Sequence, residues 1–302
     1  MEKSVKKGCP LCSSTKKKIL FKSTLQSKDR NEDVIKNDLK NTLTGIKKHA
    51  RLVQCLKCKV VYTNPRENLQ DLMSGYESVE DPDYLRTKKY RMSLISKHVN
   101  KIKGYIKKGD LLDVGCFCGF FLDLASKKGF NVAGIEPSRW ASEIVIKMGY
   151  PIYGSTLDDI SNKKFDVITM WDVIEHLPDP LGEILKVRKN LKKNGIIAVS
   201  TPDIENFLVK LLGDRHPFFV RMHITLFTPK NLNLLLTIAG FEILETYFYK
   251  REYPISYYLE RLSENLPALK SIPKRLSTIK AFQKITISFL PNDEFTIIAR
   301  KV

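Results

Sequence analysis

From residue 110 onward the hydrophobic positions alternate between two periods. Continuous apolar runs at 110–114, 131–136, 151–153, 165–171, 195–200, 241–249 and 294–300 have the length and composition of buried strands. Between them, apolar residues at helical spacing predict helices over 119–128, 138–148, 179–192 and 229–239. Pro229 suits the first turn of the last helix, with Thr228 as its N-cap and Gly240 at its end. Alternating strands and helices imply right-handed crossovers and an α/β fold, a doubly wound sheet covered on both faces. Upstream, 71–109 reads as a helical linker, and 1–70 holds short strand-like runs at 18–22, 51–54 and 60–63 around a polar stretch at 27–48. The segment 254–291, inside the 110–302 domain, reads as a helical insertion with Lys270, Lys274, Arg275, Lys280 and Lys284 among its apolar positions. No run approaches the ~20 apolar residues of a membrane span, and the first residues lack the apolar core of a secretory signal, which predicts a cytoplasmic protein.

Cysteine spacing changes the picture of the first 70 residues. Cys9-Pro-Leu-Cys12 and Cys55-Leu-Lys-Cys58 are two C-x-x-C knuckles, the arrangement that holds Zn²⁺ tetrahedrally through four thiolates. This predicts a small zinc ribbon, too poor in core to fold without its metal. A disulfide reading fits a reducing compartment poorly.

Chemistry concentrates where the first long strand ends. Leu111-Leu112-Asp113-Val114-Gly115-Cys116-Phe117-Cys118-Gly119 reads as a buried strand, a tight glycine loop and a helix start. Cys116 and Cys118 serve as small loop residues. About 20 residues on, a second strand ends in Glu136, where a carboxylate can accept both hydroxyls of a ribose. Asp113 in the strand would repel a pyrophosphate and suits a ligand with a cationic centre, such as S-adenosylmethionine.

The segment resembles motif I of the class I S-adenosylmethionine-dependent methyltransferases, usually Asp-x-Gly-x-Gly-x-Gly, with Phe117 where the middle glycine is common. Phe165 to Pro180, Leu191 to Pro202, His223 to Pro229 and Ala239-Gly240-Phe241 are similar to the group that includes the ubiquinone-biosynthesis O-methyltransferases. The resemblance covers 110–250 and implies a Rossmann-like sheet of seven strands, the last antiparallel. It implies S-adenosylmethionine contacts at Asp113, Gly115, Cys116, Gly119, Glu136 and Asp172, and adenine contacts near Leu157 and Asp158. His176, just beyond a strand end, is the leading general-base candidate and His223 the second. Asp172, Glu175 and His176 could alternatively hold a divalent metal, as the resemblance suggests. Four cysteines before such a domain also resemble the sugar C-methyltransferases, in which a tyrosine follows the ribbon; Tyr76 is the matching catalytic candidate.

Charge adds a bound on partners. The chain carries a net charge of +18, and residues 1–110 hold 26 basic against 12 acidic side chains. Such a flank could attract an anionic membrane, an anionic small molecule or nucleic acid. Nucleic acid is disfavoured, because lysine outnumbers arginine and no interleaved aromatic surface is apparent. The segment 254–291 could lie on a membrane as a peripheral contact, a lid over the site being the more ordinary reading. The sequence therefore predicts methyl transfer to an oxygen or carbon of a small molecule, such as a sugar or lipid intermediate. An rRNA or tRNA methyltransferase and a non-catalytic S-adenosylmethionine-binding protein are the alternatives. The oligomeric state is left open.

Overall fold

The computed structural model describes residues 8–26, 48–66, 75–249 apart from 161 and 217, short stretches between 253 and 287, and 293–302. Most of the 27–48 stretch and of the 254–291 insertion, including Lys270, Lys274, Lys280 and Lys284, lies outside them. In chain order the strands are β1 (Lys17–Phe21), β2 (Leu52–Cys55), β3 (Val61–Thr63), β4 (Gly109–Val114), β5 (Phe130–Ile135), β6 (Phe165–Trp171), β7 (Leu191–Pro202), β8 (Thr225–Leu226), β9 (Phe241–Phe248), β10 (Tyr253–Pro254), β11 (Thr286–Ile287) and β12 (Glu294–Lys301). The helices are α1 (Pro82–Arg86), α2 (Lys88–Tyr105), α3 (Phe120–Lys127), α4 (Arg139–Lys147), α5 (Pro180–Asn190), α6 (Phe207–Leu212) and α7 (Pro229–Ile238).

The main sheet has six strands in the order β5-β4-β6-β7-β12-β9, parallel through β7, with β12 antiparallel to both its neighbours. The seventh expected strand, at 151–153, is a single parallel bridge from Ile152 to Gly134. Pro151 has no N–H to donate, and Gly154 turns the chain away at φ +142°. The predicted caps of α7 are present: Thr228 and Asn231 form a reciprocal capping box with Pro229 in the first turn.

The ribbon is not a separate body. Its sheet runs β1-β2-β3-β8, so the fourth strand comes from residues between α6 and α7. Cys9, Leu11, Val53, Cys55, Val60 and Tyr62 belong to the same buried cluster as Leu112, Ile168, Val199, Phe227 and Phe295. The small core expected for the ribbon is extended by that of the main sheet, which explains how so few apolar residues are buried so completely. The second cluster covers the opposite face, where α2 and α3 pack on Leu111, Val167, Ile196 and Ile298. The segment read as a linker is therefore a layer of the domain.

The loop after β4 turns on Gly115 at φ +71°, where an added Cβ would meet Val173 Cγ2 at 2.6 Å. Left-handed backbone and a clash with the chain after β6 act together at this position. Replacing Gly115 with alanine is expected to cost about 2–3 kcal/mol in chemical denaturation; an unchanged denaturation midpoint would show that the loop can move away from Val173.

Candidate active site and cysteine centre

Two buried acids frame the glycine loop. Asp113, at the penultimate position of β4, is 1% exposed and accepts a hydrogen bond from Thr169 Oγ1 at 2.6 Å. Burial pushes its carboxyl up to about 8. Glu136, just past β5, accepts from the Phe117 amide at 2.7 Å and from the Ser138 amide at 2.8 Å. Burial pushes its carboxyl up to about 7 despite these donors. Each oxygen of Glu136 takes one N–H and keeps a second lone pair, so the carboxylate can still accept from a diol. The Gly115 and Cys116 amides are tied to Ile135 O at 2.8 and 3.2 Å, which holds the loop against β5.

Phe117 adopts φ +44°, the left-handed conformation that a glycine takes at no cost. That conformation turns its amide toward Glu136. Its ring meets Tyr84 edge-on at 4.7 Å and lies 5.9 Å from Trp140, while Tyr84 stacks on Phe120 at 5.2 Å. Helices α1 and α4 thus cap the loop with the rings of Tyr84 and Trp140, and from α2 Arg91 lies over Tyr84 at 4.0 Å. Neither Tyr84 nor Trp140 was singled out in the sequence; the aromatics around 76–90 were its only trace. Leu157 is buried in a short 3-10 turn, and the Asp158 carboxylate meets Lys186 Nζ at 2.6 Å on the surface.

The segment after β6 brings a second constellation beside the loop. Tyr76 Oη lies 2.8 Å from His176 Nδ1, and Met222 O lies 3.0 Å from the same nitrogen. A carbonyl only accepts, so a neutral ring that bonds Met222 carries its proton on Nδ1 and leaves Nε2 to accept. His223 has the same arrangement: its Nδ1 is 2.8 Å from Phe218 O. The two imidazoles meet edge-on at 4.8 Å. Burial lowers the pKa of His176, which favours the neutral base.

Glu175 is 1% exposed; Oε2 accepts from Thr201 Oγ1 at 3.0 Å, and Oε1 has no hydrogen-bond partner among the described residues. Burial, and then the charge of Asp172, push its carboxyl well above the usual range. Ligand atoms of Glu175, His176 and His223 fall within 4.8 Å of one another. His223, and not Asp172, completes the set: Asp172, at φ +55°, accepts from Ser200 Oγ at 3.2 Å.

At the ribbon end the four predicted cysteines converge, with Cys9 and Cys58 sulfurs 3.4 Å apart, Cys12 and Cys55 3.5 Å apart, and all four within 4.8 Å. All are free thiols. Contact with Cys58 lowers Cys9 to about 5, and contact with Cys9 raises Cys58, so the pair shares one negative charge and further ionisation calls for a cation. Four ligands at ~2.3 Å around a tetrahedral ion sit roughly 3.8 Å apart, which matches this spacing.

The family model described as a methyltransferase domain matches residues 87–246, more than half of the chain. Among curated proteins, a ubiquinone biosynthesis O-methyltransferase of Rickettsia canadensis is 33% identical over 121 residues, 37% of this chain and 49% of that protein. The one from Actinobacillus pleuropneumoniae is 36% identical over 138 residues, 41% of this chain and 57% of that protein. The chain spans about half the length of the curated relatives it matches. Among solved structures, a chain of the Haloferax volcanii complex between the Trm112 methyltransferase activator and a methyltransferase aligns with TM-score 0.51 and 14% identity, over 74% of this chain and 99% of that one. A SAM-dependent methyltransferase from Archaeoglobus fulgidus aligns with TM-score 0.50 and 18% identity, over 73% of this chain and all of that one. These structures share the fold, and with the matched stretch running from α2 through β9 across both buried acids and both histidines, the chain belongs to the methyltransferase-domain family.

Proposed function

We propose that this chain methylates a hydroxyl of a small molecule using S-adenosylmethionine, with a zinc ion held by Cys9, Cys12, Cys55 and Cys58 as a structural centre. The observation that carries the reading is the Tyr76–His176–His223 group on the segment whose Val173 packs against Gly115, in the loop framed by Asp113 and Glu136. The curated relatives named O-methyltransferases support oxygen as the acceptor atom.

The donor supplies an electrophilic methyl on a sulfonium, and the chain does the rest. Asp113 and Glu136, desolvated and held partly protonated, gain by ionising beside a cation. Capping aromatics exclude water from the loop. Nε2 of His176 would take the acceptor proton as the methyl passes from the sulfonium sulfur to the hydroxyl oxygen, leaving a neutral thioether; Met222 O and Tyr76 Oη both hold the ring at Nδ1. Replacing His176 with alanine is expected to lower turnover about 100-fold or more while calorimetry still detects donor binding. Retention of both would remove the base.

A second reading places a divalent cation on Glu175, His176 and His223, favoured by the partnerless Glu175 oxygen and by two Nδ1 atoms anchored on carbonyls. Metal analysis separates the two. One zinc per chain, lost in a Cys9→Ser, Cys58→Ser double variant, is expected from the ribbon alone. A second equivalent that disappears in His223→Ala would establish the cation.

The acids also predict a pH dependence. Both titrate higher in the folded chain than the ~4 of free carboxylates, so the folded state retains protons that the unfolded state has released. Stability of the donor-free chain should therefore fall as pH rises from about 4 to about 8, by roughly 5 °C or more in Tm. Asp113→Asn should flatten that slope, and added donor should reduce it; a slope unaffected by either would assign it to other groups.

A further inference from the structure

Helix α6, Phe207 to Leu212, has only one polar residue, Lys210, yet it is not a core helix. Val209 is buried on the ribbon sheet with Leu52, Val61 and Phe219. Phe207, Leu211 and Leu212 are instead 73%, 66% and 43% exposed. Phe207 and Leu211 stand one helical turn apart, so they share a face that the fold leaves bare. The ribbon lies alongside: Phe21 packs in the same cluster as Val209, and its ring reaches the Cβ position of Gly213. Strand β1 adds exposed Ile19, at 58%, between exposed lysines 16, 17, 18 and 22, none of which makes an ion pair among the described residues.

We propose that α6 and the β1 edge form a docking face for an anionic lipid surface. The chemistry of the face selects this occupant. Bare aliphatic and aromatic side chains beside unpaired lysines match the acyl boundary and the phosphate layer of a bilayer together. Single-stranded nucleic acid would call for arginines and stacking rings at the contact, and here the apolar groups are mostly aliphatic. A second copy of the chain, docked face to face about a two-fold axis, would bring the lysine clusters toward each other. Membrane contact was expected from 254–291, which lies mostly outside the described residues; the described apolar face is on α6.

This inference does not require the methyl-transfer reading. The full chain is to be sedimented with vesicles of phosphatidylcholine alone and with about one-third phosphatidylglycerol. Binding is expected only to the anionic vesicles and should weaken as salt is raised. The double variant Phe207→Ser, Leu211→Ser should lose about tenfold or more of that binding, and Lys17→Glu, Lys18→Glu should lose it in the same direction. Thermal stability and calorimetric binding of S-adenosylmethionine should be unchanged in both, because neither pair touches the loop. No binding to anionic vesicles, or equal binding by the apolar variant, overturns the proposal. So does a self-association that the apolar variant abolishes, or an affinity for RNA that it lowers.

Discussion

The arrangement around the two histidines depends on the two backbone hydrogen bonds of one residue, Ile224. Its carbonyl accepts from the Thr63 amide at 3.0 Å, and its amide donates to Glu175 O at 2.9 Å. The residue is buried, so losing either bond would strand a polar group out of water. On one side the bond belongs to the ribbon, through β3 and the cysteine knuckle that follows β2. On the other it belongs to the turn carrying Glu175 and His176. His223 and Met222, the two preceding residues, supply the second imidazole and the carbonyl that orients the first. Order at the cysteine centre is therefore order at the histidines. A metal bound far from the reacting atoms can stabilise the site without contacting a substrate.

That coupling explains the limits of what sequence reveals. Motif spacing identified Asp113, Gly115 and Glu136, because a strand, a tight turn and an acid are local features within about 25 residues. The knuckles were equally legible. The joining of the ribbon to the domain was not, since β8 is two residues long and pairs with a strand more than 160 residues earlier. No period can be read from two residues. The meeting of Tyr76 with His176 is a contact of the same kind, 100 positions apart; resemblance nominated Tyr76, the place of His176 beyond a strand end nominated the other, and only the fold joined them. The segment read as a linker failed to show its role for another reason. Its helical spacing was visible, but what the helices pack on was not: α1 is seated by Tyr84 against Phe117 and Phe120, and α2 by Val99 and Ile102 on the main sheet.

Phe117 shows how a departure from a motif can be accommodated. A non-glycine residue in the left-handed region costs on the order of 1 kcal/mol or more. Two compensations are present: its amide bonds to a buried acid, and its ring closes the gap between Tyr84 and Trp140. Glycine would relieve the strain but leave that gap open. The aromatic is thus part of the cap over the cofactor loop.

Charge is arranged in opposite senses inside and outside. The surface is strongly basic, with net charge +18, while the site gathers Asp113, Glu136, Asp172 and Glu175. In the proposed reaction, negative charge on the acceptor next to the reacting hydroxyl would lie in the same desolvated setting that already disfavours ionisation of Glu175. Within that proposed reaction, a neutral hydroxyl avoids that cost and can give up its proton to His176.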